Sequence, residues 1–146
     1  MRHRKAVNRL SRPSGHRQAL LRNLAKSLFE HGRIVTTEAK AKELRPFAEK
    51  LITRARRNTQ HSTRLVFSRL GDKTATKRLV TEVAPQHAGR AGGYLRITKM
   101  GHRNPNGDGA AMAMIEIIAP AAGEAPKEKP KRRRRAAPKK SDAAEA

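Results

Sequence analysis

Residues 32–57 read GRIVTTEAKAKELRPFAEKLITRARR, and the fold turns on how this stretch is parsed. Residues 33–36 (RIVT) carry β-branched side chains that suit a short strand. Thr37 then stands where a helix N-cap belongs, with Glu38 in the first turn to oppose the positive end of the helix dipole. Beyond it, Ala41, Leu44, Phe47, Ala48, Leu51, Ile52 and Ala55 recur at helical spacing and predict one apolar stripe. The opposite side carries Glu38, Lys42, Arg45, Glu49, Arg56 and Arg57, and Glu38–Lys42 is a favourable i,i+4 pair. Pro46 lacks the N–H that would bond Lys42 and disfavours helical geometry at Arg45, so a kink or break is expected there.

Working outward, Ser14 is the expected N-cap of a helix over 15–31, whose face is Leu20, Leu21, Leu24, Ala25, Leu28 and Phe29, and Gly32 is its expected terminator. On the other side, 58–61 (NTQH) reads as a turn and 62–70 as a short helix with Leu65, Val66 and Leu70 inward. Asp72 caps a further helix over 73–84, with Ala75, Leu79, Val80 and Val83 on one side, ended by Pro85. Residues 94–100 (YLRITKM) alternate as a strand, Leu95 and Ile97 facing one way and Tyr94, Arg96 and Thr98 the other. A long loop over 101–109 leads to a returning strand over 111–118. A lone hairpin is marginal, and the strand at 34–36 would complete a small sheet. The expected class is α+β: a small three-stranded mixed sheet covered on one face by about four helices, in the order helix, strand, three helices, two strands. The expected organisation is a basic arm over 1–13, a globular domain over 14–119 and a disordered tail over 120–146.

Charge bounds the function. The 146 residues carry 34 Lys+Arg against 12 Asp+Glu, a formal net charge of +22, which repels itself unless a polyanion neutralises it. That surplus divides into +6 over residues 1–17, +11 over 18–119 and +5 over 120–146. Nucleic acid is the leading partner and an acidic membrane surface the second. No apolar run approaches the ~20 residues that span a bilayer, and no hydrophobic core follows the basic N-terminus, so neither a span nor a secretory signal is expected. The absence of cysteine removes disulfides, thiolate metal sites and thiol nucleophiles. With one Tyr, three Phe and no Trp, a base-stacking platform is poorly supported.

The arm holds five Lys/Arg and no acid, which suits ordering against a phosphate backbone better than a merely solvated terminus. Arg22 and Lys26 lie one turn apart on the first helix, a repulsive spacing that phosphate would relieve. Residues 86–93 (QHAGRAGG) form a Gly-rich loop in which backbone N–H groups and Arg90 could approach a phosphate, a weak motif without the Gly-Lys-Ser/Thr of a nucleotide loop. Lys131–Arg135 is an unbroken cationic run, read either as a solubilising tail or as a sequence-indifferent nucleic-acid contact. The RNA-contact candidates are Arg2, His3, Arg4, Lys5, Arg9, Arg12, His16, Arg17, Arg22, Lys26, Arg33, Lys40, Lys42, Arg45, Arg90, Tyr94, Arg96, Lys99 and Arg103.

No catalytic pattern emerges. His3, His16, His31, His61, His87 and His102 match no metal spacing, HExxH is absent, and no paired carboxylates suit nuclease chemistry. The acids before the tail sit on helix faces beside cations and read as local charge relief; GxSxG is absent. The expectation is a non-enzyme with no cofactor, no metal and no small-molecule substrate.

Several strings occur together in one order: MRH at 1–3 with Lys5, LSR at 10–12, HR at 16–17 with Ala19, LRN at 21–23, RI at 33–34, TT at 36–37, KAKELR at 40–45, EKLIT at 49–53, GGY at 92–94 and RI at 96–97. Over residues 1–119 the chain strongly resembles the bacterial large-subunit ribosomal protein L-seventeen family. The resemblance implies a small sheet with helices on one face. It also implies binding to large-subunit ribosomal RNA beside other large-subunit proteins, toward the tunnel exit of a cytoplasmic ribosome, without stable homo-oligomers. The tail falls outside it. The competing reading, a DNA-compacting nucleoid or linker-histone-like protein, fits the Ala/Pro/Lys tail but not residues 1–57, which hold neither a dimerising β-arm nor a helix-turn-helix.

Overall fold

The computed structural model describes residues 8–104 and 107–118. The expected arm residues 1–7 and the expected tail lie outside them. The elements are α1 (Ser14–His31), β1 (Arg33–Thr37), α2 (Glu38–Ala55), α3 (Gln60–Leu70) and α4 (Lys73–Arg78), a wide helical turn at Leu79–Val83, α5 (Ala84–Gln86), β2 (Leu95–His102) and β3 (Ala111–Ile117).

The sheet order is β1-β3-β2, and it is antiparallel throughout rather than mixed. The hairpin makes β2 and β3 antiparallel, and β1 also runs against β3. The two outer strands are therefore parallel to each other but do not touch. One inner rung aligns Ile34, Ile115 and Ile97, and the next aligns Thr36, Ala113 and Lys99. Ala113 and Ile115 are fully buried beneath the helices, as expected for the middle strand of a sheet covered on one side. The other face is bare. There Arg33, Glu116 and Arg96 form one rung and Val35, Met114 and Thr98 the next, with Val35 54% exposed. A bulge between Lys99 and Gly101 inserts Met100, 55% exposed, into that margin.

α1 buries Leu21, Ala25, Leu28 and Phe29 and stops at Gly32, whose φ of 75° needs no Cβ and whose N–H reaches the Leu28 carbonyl at 2.8 Å. Its cap is Pro13, not Ser14, and no side chain bonds the first turn. Thr37 does occupy the cap position of α2, again without a side-chain bond. Pro46 does not break α2, which runs on to Ala55. Pro46 is exposed, whereas Leu44 and Ala48 on either side are buried, so packing of the stripe outweighs one lost backbone bond.

α3 begins two residues earlier than the apolar pattern indicates. Thr59 accepts from the Ser62 N–H at 3.1 Å while the Ser62 hydroxyl accepts from the Thr59 N–H at 3.1 Å, a reciprocal cap. Leu65 turns outward, 40% exposed, while Val66 and Leu70 are buried. The expected single helix over 73–84 is instead remodelled around Pro85. The Ala84 N–H reaches back five residues to the Leu79 carbonyl, and the wide turn lets the chain accommodate a proline without N–H and continue to Gln86.

Asp72 caps α4. Its Oδ1 accepts from the Thr74 hydroxyl at 2.8 Å and the Ala75 N–H at 3.1 Å, and Lys26 Nζ lies 3.4 Å from Oδ2. Those bonds, Thr74 first, then Ala75, then Lys26, hold the carboxyl down to about 2 from an ordinary 3.8. A depressed carboxylate stabilises the fold above its unfolded value and ceases to do so as pH falls through its folded one. Asp72→Asn, which keeps a capping oxygen, is therefore expected to melt below the native protein at neutral pH. The gap should close between about pH 4 and about pH 2. A gap in melting temperature as wide at about pH 2 as at neutral pH would refute the assignment.

Candidate nucleic-acid interface

Many of the cations singled out from sequence are engaged within the protein. Lys42 Nζ lies 2.8 Å from Glu38, Lys99 Nζ 3.3 Å from the same carboxylate, Arg45 Nε 3.3 Å from Glu49, Arg96 Nη1 3.4 Å from Glu116 and Arg103 Nη1 3.6 Å from Asp108. Lys42, and then Lys99, hold the Glu38 carboxyl below its usual range. Lys26 pairs with Asp72, and Arg22 donates from Nε to the Arg69 carbonyl at 2.9 Å. Arg22 and Lys26 therefore turn toward α3 and the start of α4.

Arg2, His3, Arg4 and Lys5 lie outside the described residues. Arg12 Nη1 lies 2.9 Å from His16 Nε2 across the start of α1, and Arg9 is exposed. Residues 8–12 fold as a turn against α2: the Asn8 N–H donates to Glu43 at 3.1 Å and the Arg12 N–H to the Arg9 carbonyl at 3.1 Å. Arg33 is exposed on the bare sheet face, Lys40 and Arg17 are half-buried, and none of the three has a side-chain partner among the described residues.

Other unpaired cations were not among the RNA-contact candidates. Lys50, Arg54 and Arg57 line the end of α2, Arg64 and Arg69 lie on α3, and Lys73 and Lys77 on α4, all without a side-chain partner among the described residues. The signal was present in spacing. Lys42, Arg45 and Arg78 each have a glutamate four residues away and pair with it. Lys50, Arg54, Arg64 and Lys77 have none at that distance.

Tyr94 was expected on the outer face with Arg96. It precedes β2 and is fully buried, so its ring offers no surface to a base. Its hydroxyl accepts from Arg56 Nη1 at 2.7 Å and lies 3.3 Å from both the Arg90 and Ala91 carbonyls, to either of which it can donate. Arg56 Nη2 donates to the Ala88 carbonyl at 2.6 Å. One guanidinium thus pins the Gly-rich loop to the end of α2. Arg56, read from sequence as one cation of an outer face, is instead a structural tie.

A cleft of about 450 Å³ between α1 and α4 is lined by Lys26, Lys77 and Arg78 against Glu30, Asp72 and Glu82. Two internal ion pairs, Lys26–Asp72 and Arg78–Glu82, already balance most of its charge. Among the described residues no group of His, Asp and Glu could hold a metal ion, and no helix is long and apolar enough to cross a membrane.

The class so defined is a cationic α+β module whose unpaired charge lies along its helices, on β1 and in the Gly-rich loop. The family model for ribosomal protein L17 matches residues 20–118, and the chain belongs to that family of structural, non-enzymatic proteins. The chain is 58% identical over 118 residues to the large ribosomal subunit protein bL17 of Gemmatimonas aurantiaca, a match covering 81% of this chain and 98% of that protein. It is 56% identical over 116 residues to the bL17 of Methylacidiphilum infernorum, covering 80% and 87%. The bL17 of Sulfurimonas denitrificans is 52% identical over 118 residues, covering 81% and 100%. The family match ends at Ile118, so residues 120–146 lie beyond it.

Proposed function

We propose that this chain, a structural constituent of the large ribosomal subunit as its family is, grips folded large-subunit rRNA through its phosphates. The observation that carries this is the set of cations on α2, α3 and α4 that no acid answers among the described residues. Their charge is offset only by an external polyanion. The exposed ion pairs at Lys42, Arg45, Arg96, Lys99 and Arg103 are weak in water and yield readily to phosphate. Phosphate contacts position the protein; the shape of the RNA and its 2′-hydroxyls select the place, because A-form RNA hides its base edges from side chains. The role is architectural, in the cytoplasmic ribosome, beside other large-subunit proteins and without self-association.

Two measurements test the reading. The chain is expected to co-sediment with large subunits at low ionic strength and to be released as salt rises. At one fixed ionic strength, unlabelled large-subunit rRNA should displace it from the same RNA far better than random duplex DNA does. Equal competition by DNA would leave only indiscriminate polyanion binding and defeat the proposal.

A further inference from the structure

The Arg56 and Arg90 charges both act on His87 at the Gly-rich loop between α5 and β2, and no carboxylate pairs with either among the described residues. Arg56 spends two nitrogens on Tyr94 and Ala88, and its Nε is buried without an acceptor. Arg90 is half-buried, and its side chain donates to nothing among the described residues. Arg90 Nη1 is enclosed while its other side-chain nitrogens reach solvent. His87, 2% exposed, stacks obliquely on Tyr94 with ring centres 5.3 Å apart, and its Nε2 is also buried and unpartnered. Burial, then Arg90 and Arg56, depress the basicity of this imidazole, so it adds no third charge at neutral pH.

Enclosed water could bond the Arg56 and His87 nitrogens, but it would not neutralise either guanidinium. An anion would. The loop leaves room for one: Cβ atoms built on Gly92 and Gly93 would meet nothing within 4 Å, and Gly93 holds a φ of +67° that side chains avoid.

We infer that this loop seats one RNA phosphate, with Arg90 as its direct ligand and the fixed Arg56 charge behind it. The inference rests on the rRNA-binding reading above and narrows it to a site. Arg90 presents a planar fork suited to two phosphate oxygens, and Arg56 holds the loop in place beforehand, so little ordering is left for binding to supply.

The test uses the full chain and a large-subunit rRNA transcript over a salt series. Arg90→Gln is expected to bind about tenfold more weakly, with a log–log salt slope shallower by about one. Arg90→Lys should keep the slope and recover only part of the affinity, since it restores charge but not the fork. Because the Arg90 side chain has no partner among the described residues, both variants should melt like the native protein. If the native chain binds rRNA while Arg90→Gln keeps the full slope, the site is wrong and the rRNA reading survives. If the native chain does not bind rRNA at all, both fall.

Discussion

Raising monovalent salt from about 50 to about 200 mM is expected to weaken the grip of the chain on large-subunit rRNA by about 10³–10⁵-fold. A protein that neutralises ~8 phosphates releases their condensed counterions, and its log–log slope is on the order of −6 to −7. The free protein should respond in the opposite sense. At a net charge of +22 it repels itself, and salt screens that repulsion, so its melting temperature should rise over the range in which RNA binding collapses. Filter binding and far-UV circular dichroism on the same samples separate the two trends. A binding slope shallower than about −3 would mean that few of the unpaired cations reach phosphate.

The second large effect is on stability. Tyr94 is completely enclosed, stacks on His87, and is the hydroxyl on which Arg56 closes the loop. Tyr94→Ala is expected to cost about 3–5 kcal/mol, as for other large buried side chains cut back to alanine. Tyr94→Phe keeps the ring but leaves Arg56 Nη1 without its acceptor, at about 1–3 kcal/mol. Urea unfolding followed by circular dichroism checks both. A Phe variant as stable as the native protein would show that the hydroxyl bonds contribute nothing net.

The local alphabet of the fold was readable. Gly32 ends α1 and Asp72 starts α4 because a left-handed residue and a short acceptor are local requirements. The apolar stripe of α2 and the alternation of β2 follow from periodicity alone. Pro46 misled because the rule it obeys is also local: the helix loses one bond there and is held by core contacts on either side. The break in regularity at Leu79–Val83 went unseen for the converse reason. Pro85 does not stop a helix whose preceding turn can widen.

Of the candidate interface, charge surplus and the Gly-rich loop were legible, and so was the Glu38–Lys42 ion pair. The pairs between elements, Lys99–Glu38 and Lys26–Asp72, were not, because no spacing rule brings β2 to α2 or α1 to α4. Tyr94 illustrates the limit best. Strand alternation places it beside Arg96 on the outer face, yet it precedes the first residue of β2 and turns into the core.

The amino-acid sequence by itself determined the helical and extended segments, the cationic surplus and the family, since these depend on composition, periodicity and order along the chain. Tertiary structure alone decided which cations are answered by acids, that β3 lies between β1 and β2, and that Arg56 closes on Tyr94 and Ala88. Coulombic and hydrogen-bond partners are chosen by distance in space, and packing around one shared core sets that distance.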